Sequence, residues 1–175
     1  MAVFRRRPVA PSLQGKRYGR FRAEVRRDFV ACCAFCLLHE LLAGGRHNFE
    51  LDHFRPKSLP HFAHLINDFF NLFYACHPCN KLKANCWPPD ELLSQGYRFV
   101  DFTQDTFSEH FLETGYGRWL PLSKPARYTE RRLRLNRRHL LEIRSLLREI
   151  AELRGIPHID WNRPCRDQVP AVLPH

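Results

Sequence analysis

The sequence predicts an α+β fold, on three observations. Phe49-Glu50-Leu51-Asp52 alternates as a half-buried strand does, and Leu72-Phe73-Tyr74-Ala75 is short and apolar enough to be its partner. Helical periodicity flanks the two runs, from Tyr18 to about Ala31 and again from Thr129 to Arg154. Two Cys-x-x-Cys pairs, Cys33/Cys36 and Cys76/Cys79, bracket both strand candidates.

Taken in order, residues 1–17 carry Arg5, Arg6, Arg7, Pro8 and Pro11 without apolar periodicity and read as a flexible basic arm. Phe21, Val25 and Phe29 then recur at helical spacing and form a core stripe, with Arg20, Arg22, Arg26 and Arg27 on the other sides. Those arginines suit either phosphate contact or a solvated face. Gly44-Gly45 makes a turn before the first strand, and Pro56 limits that strand. The segment Arg55 to Phe70 is a loop, but Phe62, Leu65, Ile66, Phe69 and Phe70 are too apolar to be left in water. A helix begins near Cys79 and stops before Pro88-Pro89.

The run from Tyr97 to Leu122 is aromatic and turn-rich. Tyr97 to Phe102 alternates weakly, and Gly115-Tyr116-Gly117 marks a turn, so one or two small strands are expected there. Asp105, Glu109 and His110 make a lesser acidic cluster. The helical segment after Thr129 breaks near Asn136, which is placed to cap a second helix. Leu140, Ile143, Leu147 and Ile150 form its core stripe and Gly155 ends it. The arginines at 127, 131, 132, 134, 137 and 138 exceed what solubility requires and suggest phosphate contact. The layout is a single domain over 18–155, with a core at 31–87 and a C-terminal helical part at 127–155. Residues 156–175 form an irregular, Pro-containing tail in which Cys165 stands alone.

Composition narrows the function classes. With 44% hydrophobic residues and 14 Phe in 175 residues, the chain should fold rather than stay disordered. Its longest apolar run, Phe29 to Leu38, is about half the ~20 residues of a membrane span. The basic start lacks the apolar segment of a secretory signal, so a cytoplasmic protein with no membrane partner is expected. A net charge of +10 favours polyanions, nucleic acid above all. Seven cysteines, four of them in pairs, fit metal binding in a reducing compartment better than a disulfide framework.

Structural zinc takes four thiolate or imidazole ligands tetrahedrally, often as two such pairs. Cys33, Cys36, Cys76 and Cys79 supply them. Cys33 is preferred over Cys32 because it alone repeats the two-residue gap of the second pair; His77 and Cys86 are alternative ligands of lower rank. The ion would close the segment Leu37 to Ala75 into a loop, so metal binding would contribute to folding.

Inside that loop and just beyond it lie Asp52-His53, Asn71, Asn80 and Lys83, with Asn71 and Asn80 nine positions apart. This pattern resembles the HNH endonuclease family, in the version whose ββα-metal core is clamped by four cysteines. The stretch Leu-Asp-His-Phe-Arg-Pro-Lys, with Leu-Arg-Leu-Asn-Arg-Arg-His-Leu-Leu-Glu-Ile-Arg near the C-terminus, also resembles the HNH subunits of bacterial phage-defence pairs such as Septu, where an ATPase partner controls the nuclease. The resemblance implies a ββα-metal core flanked by helices and hydrolysis of phosphodiester bonds in DNA. His53 would be the general base and Asn71 its brace. Asp52 and Asn80 would hold one divalent cation, Mg²⁺ or Mn²⁺ given their hard oxygens. Lys83, Arg55 and Lys57 would meet the substrate phosphate, and a regulatory protein such as an ATPase would be the partner.

Neighbouring residues of a flat strand point to opposite faces. A kink or twist of the strand is therefore expected at Asp52-His53, to turn both toward one phosphate, and a perfectly regular strand through Phe54 would count against the assignment. Two other readings keep the same residues: a non-catalytic zinc-ribbon module that binds nucleic acid or acts as a scaffold, and a nuclease that cuts RNA.

Overall fold

Phe49–His53 forms strand β1 and Leu72–Cys76 forms strand β2, paired antiparallel with Phe49 opposite Cys76 and His53 opposite Leu72. This computed structural model describes residues 2–12 and 17–162. Part of the expected basic arm (13–16) and most of the expected tail (163–175), including Cys165, lie outside the described residues. Mixed helix and sheet is confirmed as the fold class. Of the described residues, Phe4–Trp87 form one compact unit, and Pro88–Asn162 with Ala2 and Val3 form another. The division falls at residue 87, where the sequence reading ends its core, although that reading had one domain over 18–155.

In the first unit, a 3₁₀ turn at Tyr18–Phe21 leads into α1 (Arg22–Asp28). The stripe Phe21, Val25 and Phe29 is buried, as expected. Phe29 packs on Phe73 of β2 with ring centroids 5.1 Å apart. The α1 arginines divide: Arg26 pairs with the buried Glu40, and Arg27 pairs with Glu24 at the surface. Tyr74 of β2 donates to the same Glu40 at 2.7 Å. Helix α2 (His77–Lys83) follows β2 without a loop, with Pro78 in its first turn, where a missing N–H costs nothing. It starts two residues before the expected Cys79.

The basic arm is not free where it is described. Arg6 donates to Asp28 and to the carbonyls of Leu72 and Phe69, and its guanidinium lies 4.7 Å from the Phe69 ring centroid. Arg7 also reaches Asp28, at 2.8 Å. A buried aspartate recruits both cations. The loop between the strands is partly as expected: Phe69 is buried, whereas Ile66 and Phe70 are exposed.

The second unit holds α3 (Asp90–Ser94), α4 (Phe107–His110), the hairpin strands β3 (Phe111–Glu113) and β4 (Trp119–Pro121), α5 (Lys124–Leu133) and α6 (Arg138–Arg154). The strands flank the Gly115-Tyr116-Gly117 turn; Tyr97 to Phe102 is not a strand. Asn136 does not cap α6. Its side chain bonds instead to the backbone N–H and C=O of Trp119 and to Glu130. The buried stripe of α6 is Leu140, Arg144, Leu147 and Ala151, so Ile143 and Ile150 turn half out. Arg144 rotates the stripe because its guanidinium lies 3.5 Å from the Trp119 ring centroid and donates to the carbonyls of Gly117 and Leu135. Gly155 ends the helix at φ +61°, as the sequence predicts. No described helix is long and apolar enough to cross a membrane.

Candidate functional site

Four thiols meet at one point. The Sγ atoms of Cys33, Cys36, Cys76 and Cys79 all lie within 4.8 Å of one another and all four residues are buried. Local backbone builds this. Leu37 N–H donates to Cys33 O, and the turn is closed by Leu37 at φ +62°. Ala34 N–H donates to Tyr74 O, which fastens the first pair to β2, while Cys76 N–H points at Cys33 Sγ. The second pair sits where β2 becomes α2. Cys36 and Cys76 Sγ are 3.8 Å apart, about the separation of tetrahedral thiolates around zinc at ~2.3 Å bonds. Contacts with Cys33 and Cys36, together with burial, push the Cys76 and Cys79 thiols upward. The group could hold a metal such as zinc. Cys32 is buried outside it, as the spacing indicated.

A second grouping lies at the end of β1. A cleft of about 270 Å³ is lined by Asp52, His53, Lys57 and Asn80, with Leu51, Pro56, Ala84 and Asn85 completing it. The expected kink at Asp52-His53 is absent. Register is regular through His53, Phe54 N–H still reaches Asn71 O, and the chain bends only at Phe54-Arg55. Glu50 and Asp52 therefore face α2, and His53 faces the other way. The cleft spans both sides because it lies around the strand's end.

His53 Nε2 is 2.9 Å from Ile66 O. A carbonyl only accepts, so Nε2 carries the proton and Nδ1 keeps its lone pair. Nδ1 has no hydrogen-bond partner among the described residues. Tyr18 packs edge-on against the imidazole, with centroids 4.7 Å apart. Burial lowers His53 below the ordinary imidazole value, opposed by the Ile66 bond and reinforced by Lys57 and Lys83.

Asn71 braces the turn that follows. Its Oδ1 accepts from Arg55 N–H at 2.8 Å and its Nδ2 donates to Arg55 O at 3.0 Å. One side chain thus replaces a strand partner at the point where β1 ends.

Asp52 is 6% exposed. Lys83 Nζ lies 2.8 Å from its Oδ2, without the alignment of a hydrogen bond. Burial pushes Asp52 up to about 6 against the lowering pull of Lys83. Lys83 also donates to His53 O at 2.8 Å, and its side chain is 0% exposed. The expectation that Lys83 meets a substrate phosphate does not fit this position. The lysine is the buried counter-charge of Asp52, because three residues past Asn80 the helix still faces the sheet. Arg55 has an exposed side chain. Lys57 lines the cleft, donating to Tyr18 Oη at 3.0 Å with its ammonium 4.5 Å from that ring's centroid.

Asn80 reaches the cleft from α2. Its Nδ2 donates to Glu50 Oε2, and Glu50 Oε1 accepts from His77 Nδ1 at 3.3 Å. The Asn80 bond holds Glu50 below the usual carboxylate range despite part burial, and His77 adds to the effect. Asn80 Oδ1 has no partner among the described residues. Glu50 was not singled out from the sequence, although period two from Asp52 puts it on the same face. Asn85 and Tyr18 were also missed and carry no sequence signal of their own.

The fit to a divalent cation rests on two oxygens. Asp52 and Asn80 line one cleft; Asn80 Oδ1 has no partner among the described residues, and Asp52 Oδ2 is buried against the Lys83 ammonium, whose charge a cation would have to share or replace. Such donors suit a hard ion. Elsewhere, His110 bonds Ser123 through Nδ1 and lies 3.6 Å from Asp105 through Nε2, while Arg98 donates to both oxygens of Asp105, and Arg127, Arg131, Arg132 and Arg134 are exposed. No protein-family model matches the chain, and comparison with curated proteins and with solved structures gives no match either.

Proposed function

We propose that the chain is a divalent-cation-dependent HNH endonuclease that hydrolyses phosphodiester bonds in nucleic acid, with DNA as the substrate. The observation that carries this reading is the His53 tautomer. An imidazole tied through Nε2 to a backbone carbonyl presents Nδ1 as a base, in a cleft shared with Asp52 and Asn80. The order β1, β2, α2 and the buried thiol group behind it support the same reading.

In this mechanism Nδ1 of His53 takes the proton from the attacking water. Ile66 holds the ring, and Asn71 fixes the turn from which the ring projects. Asp52 and Asn80 Oδ1 would hold Mg²⁺ or Mn²⁺, which when bound supplies Lewis-acid stabilisation of the charge developing on phosphate. Cys33, Cys36, Cys76 and Cys79 would hold zinc as a structural ion. Lys57 and Arg55 would meet the substrate backbone. Net charge +10 and the exposed arginines of α5 favour a polyanionic substrate. Control by a partner such as an ATPase, and a place in phage defence, belong to the proposal through the sequence resemblance alone.

One observation favours a second reading. Lys83 already neutralises Asp52, as in a binding module that needs no catalytic ion. Plasmid nicking separates the two. With Mg²⁺ or Mn²⁺ the wild type converts supercoiled plasmid to nicked form, and His53→Ala loses at least ~100-fold of that rate. Intact plasmid with the zinc-loaded wild type would favour the binding module. Preference for RNA substrate over plasmid would favour the ribonuclease.

A further inference from the structure

Glu50 stands outside the residues assigned a role above, yet it touches two side chains of α2. Asn80 donates to one of its oxygens and His77 to the other. A carboxamide has two nearly isosteric ends, and its hydrogen bonds alone decide which way each points. An ionised carboxylate only accepts, so it can hold only the NH₂ end of Asn80. The reverse orientation would set Oδ1 against a carboxylate oxygen and lose the bond. The carbonyl end, unbonded among the described residues, is thereby turned away from Glu50. Asp52, two residues along the same strand face, lines the cleft with Asn80.

We propose that Glu50 is a positioning residue for cation binding: it fixes the Asn80 amide so that Oδ1, not the NH₂ group, is offered beside Asp52. His77 steadies the carboxylate from its other oxygen. This rests on the reading of Asp52 and Asn80 as cation donors. Partners that orient ligands in this way typically change metal affinity ~10–100-fold when removed.

The test is Mn²⁺ binding to the zinc-loaded full chain, followed by the electron paramagnetic resonance signal of free Mn²⁺, with no substrate present. Asp52→Asn identifies the site by abolishing the binding. Glu50→Gln, which can present either a donor or an acceptor to Asn80, should weaken Mn²⁺ about tenfold. In an Asn80→Asp background both ends of residue 80 are oxygens, so the orientation no longer matters and Glu50→Gln should not weaken binding. Equal loss in both backgrounds would mean that Glu50 is itself a ligand and would overturn the proposal. So would an unchanged Mn²⁺ affinity for Glu50→Gln beside a binding wild type, while leaving the cation site standing. A wild type that binds no Mn²⁺ would overturn the cation site and this proposal with it. The Glu50 side chain is 44% exposed, so the variant should fold, which zinc content and thermal midpoint check. His77→Ala, at the exposed end of the relay, should weaken Mn²⁺ in the same direction by a few-fold.

Discussion

The thiol cluster and the cleft stand at opposite ends of the same short β1–β2 pair, yet they are built on opposite terms. Cys33, Cys36, Cys76 and Cys79 are sealed, and the backbone N–H of Cys76 donates to Cys33 Sγ. His53 and Asn80 each have one end fastened and one end, Nδ1 and Oδ1, without a partner among the described residues, while Asp52 Oδ2 is buried against the Lys83 ammonium at 2.8 Å. A closed site with all positions filled by protein suits a structural ion, and an open one suits chemistry. Fastening one end while leaving the other free is how a scaffold pre-orients a reacting group. Under the proposed function the first region carries stability and the second turnover, and each assignment can be broken.

The largest effect should come from the cluster. Cys79→Ser, or a strong chelator on the wild type, removes binding free energy on the order of 10 kcal/mol. Cooperative thermal unfolding of the Phe4–Trp87 unit should be lost along with bound zinc. Retention of an unshifted transition would show that the sealed site does not organise the fold.

Next in size is Lys83→Met. It leaves Asp52 buried without its counter-charge, which should destabilise the protein by about 3–5 kcal/mol in urea unfolding. Adding Asp52→Asn should recover most of the loss, because the neutral pair no longer buries a charge. Failure to recover would mean that the bond from Lys83 to His53 O matters more than the ion pair.

Asn71→Ala should cost less, about 2–3 kcal/mol, by leaving the Arg55 N–H and C=O without partners. Catalysis should fall further than stability does, since the turn holding His53 loosens. Parallel losses would reduce Asn71 to a structural brace.

The parts of this architecture that follow from spacing were legible in the sequence. The cysteine pairs have a metal's geometry written into their gap, so even the choice of Cys33 over Cys32 could be made. The strands emerged within a residue or two because alternation and the Pro56 stop are local signals. What could not be read depends on where side chains end up. Lysine is almost never fully buried without a partner, and nothing local to Lys83 announces that Asp52 is that partner. The α6 stripe held at Leu140 and Leu147 but not at Ile143 and Ile150, because Arg144 lies against Trp119, an inversion of the usual pattern. Asn136 looked like a cap and instead mimics a strand partner for Trp119. The kink expected at Asp52-His53 followed from the correct premise that neighbours diverge, but the cleft wraps the strand's end and needs no kink. Glu50 was within reach, since period two from Asp52 places it.

The central claim is that Nδ1 of His53 is the base that activates water. Chemical rescue tests it most directly: single-turnover plasmid nicking by His53→Ala with Mg²⁺ and added imidazole. The account predicts negligible nicking without imidazole and a rate that rises with the concentration of neutral imidazole. Nicking by His53→Ala at the wild-type rate without imidazole would contradict it.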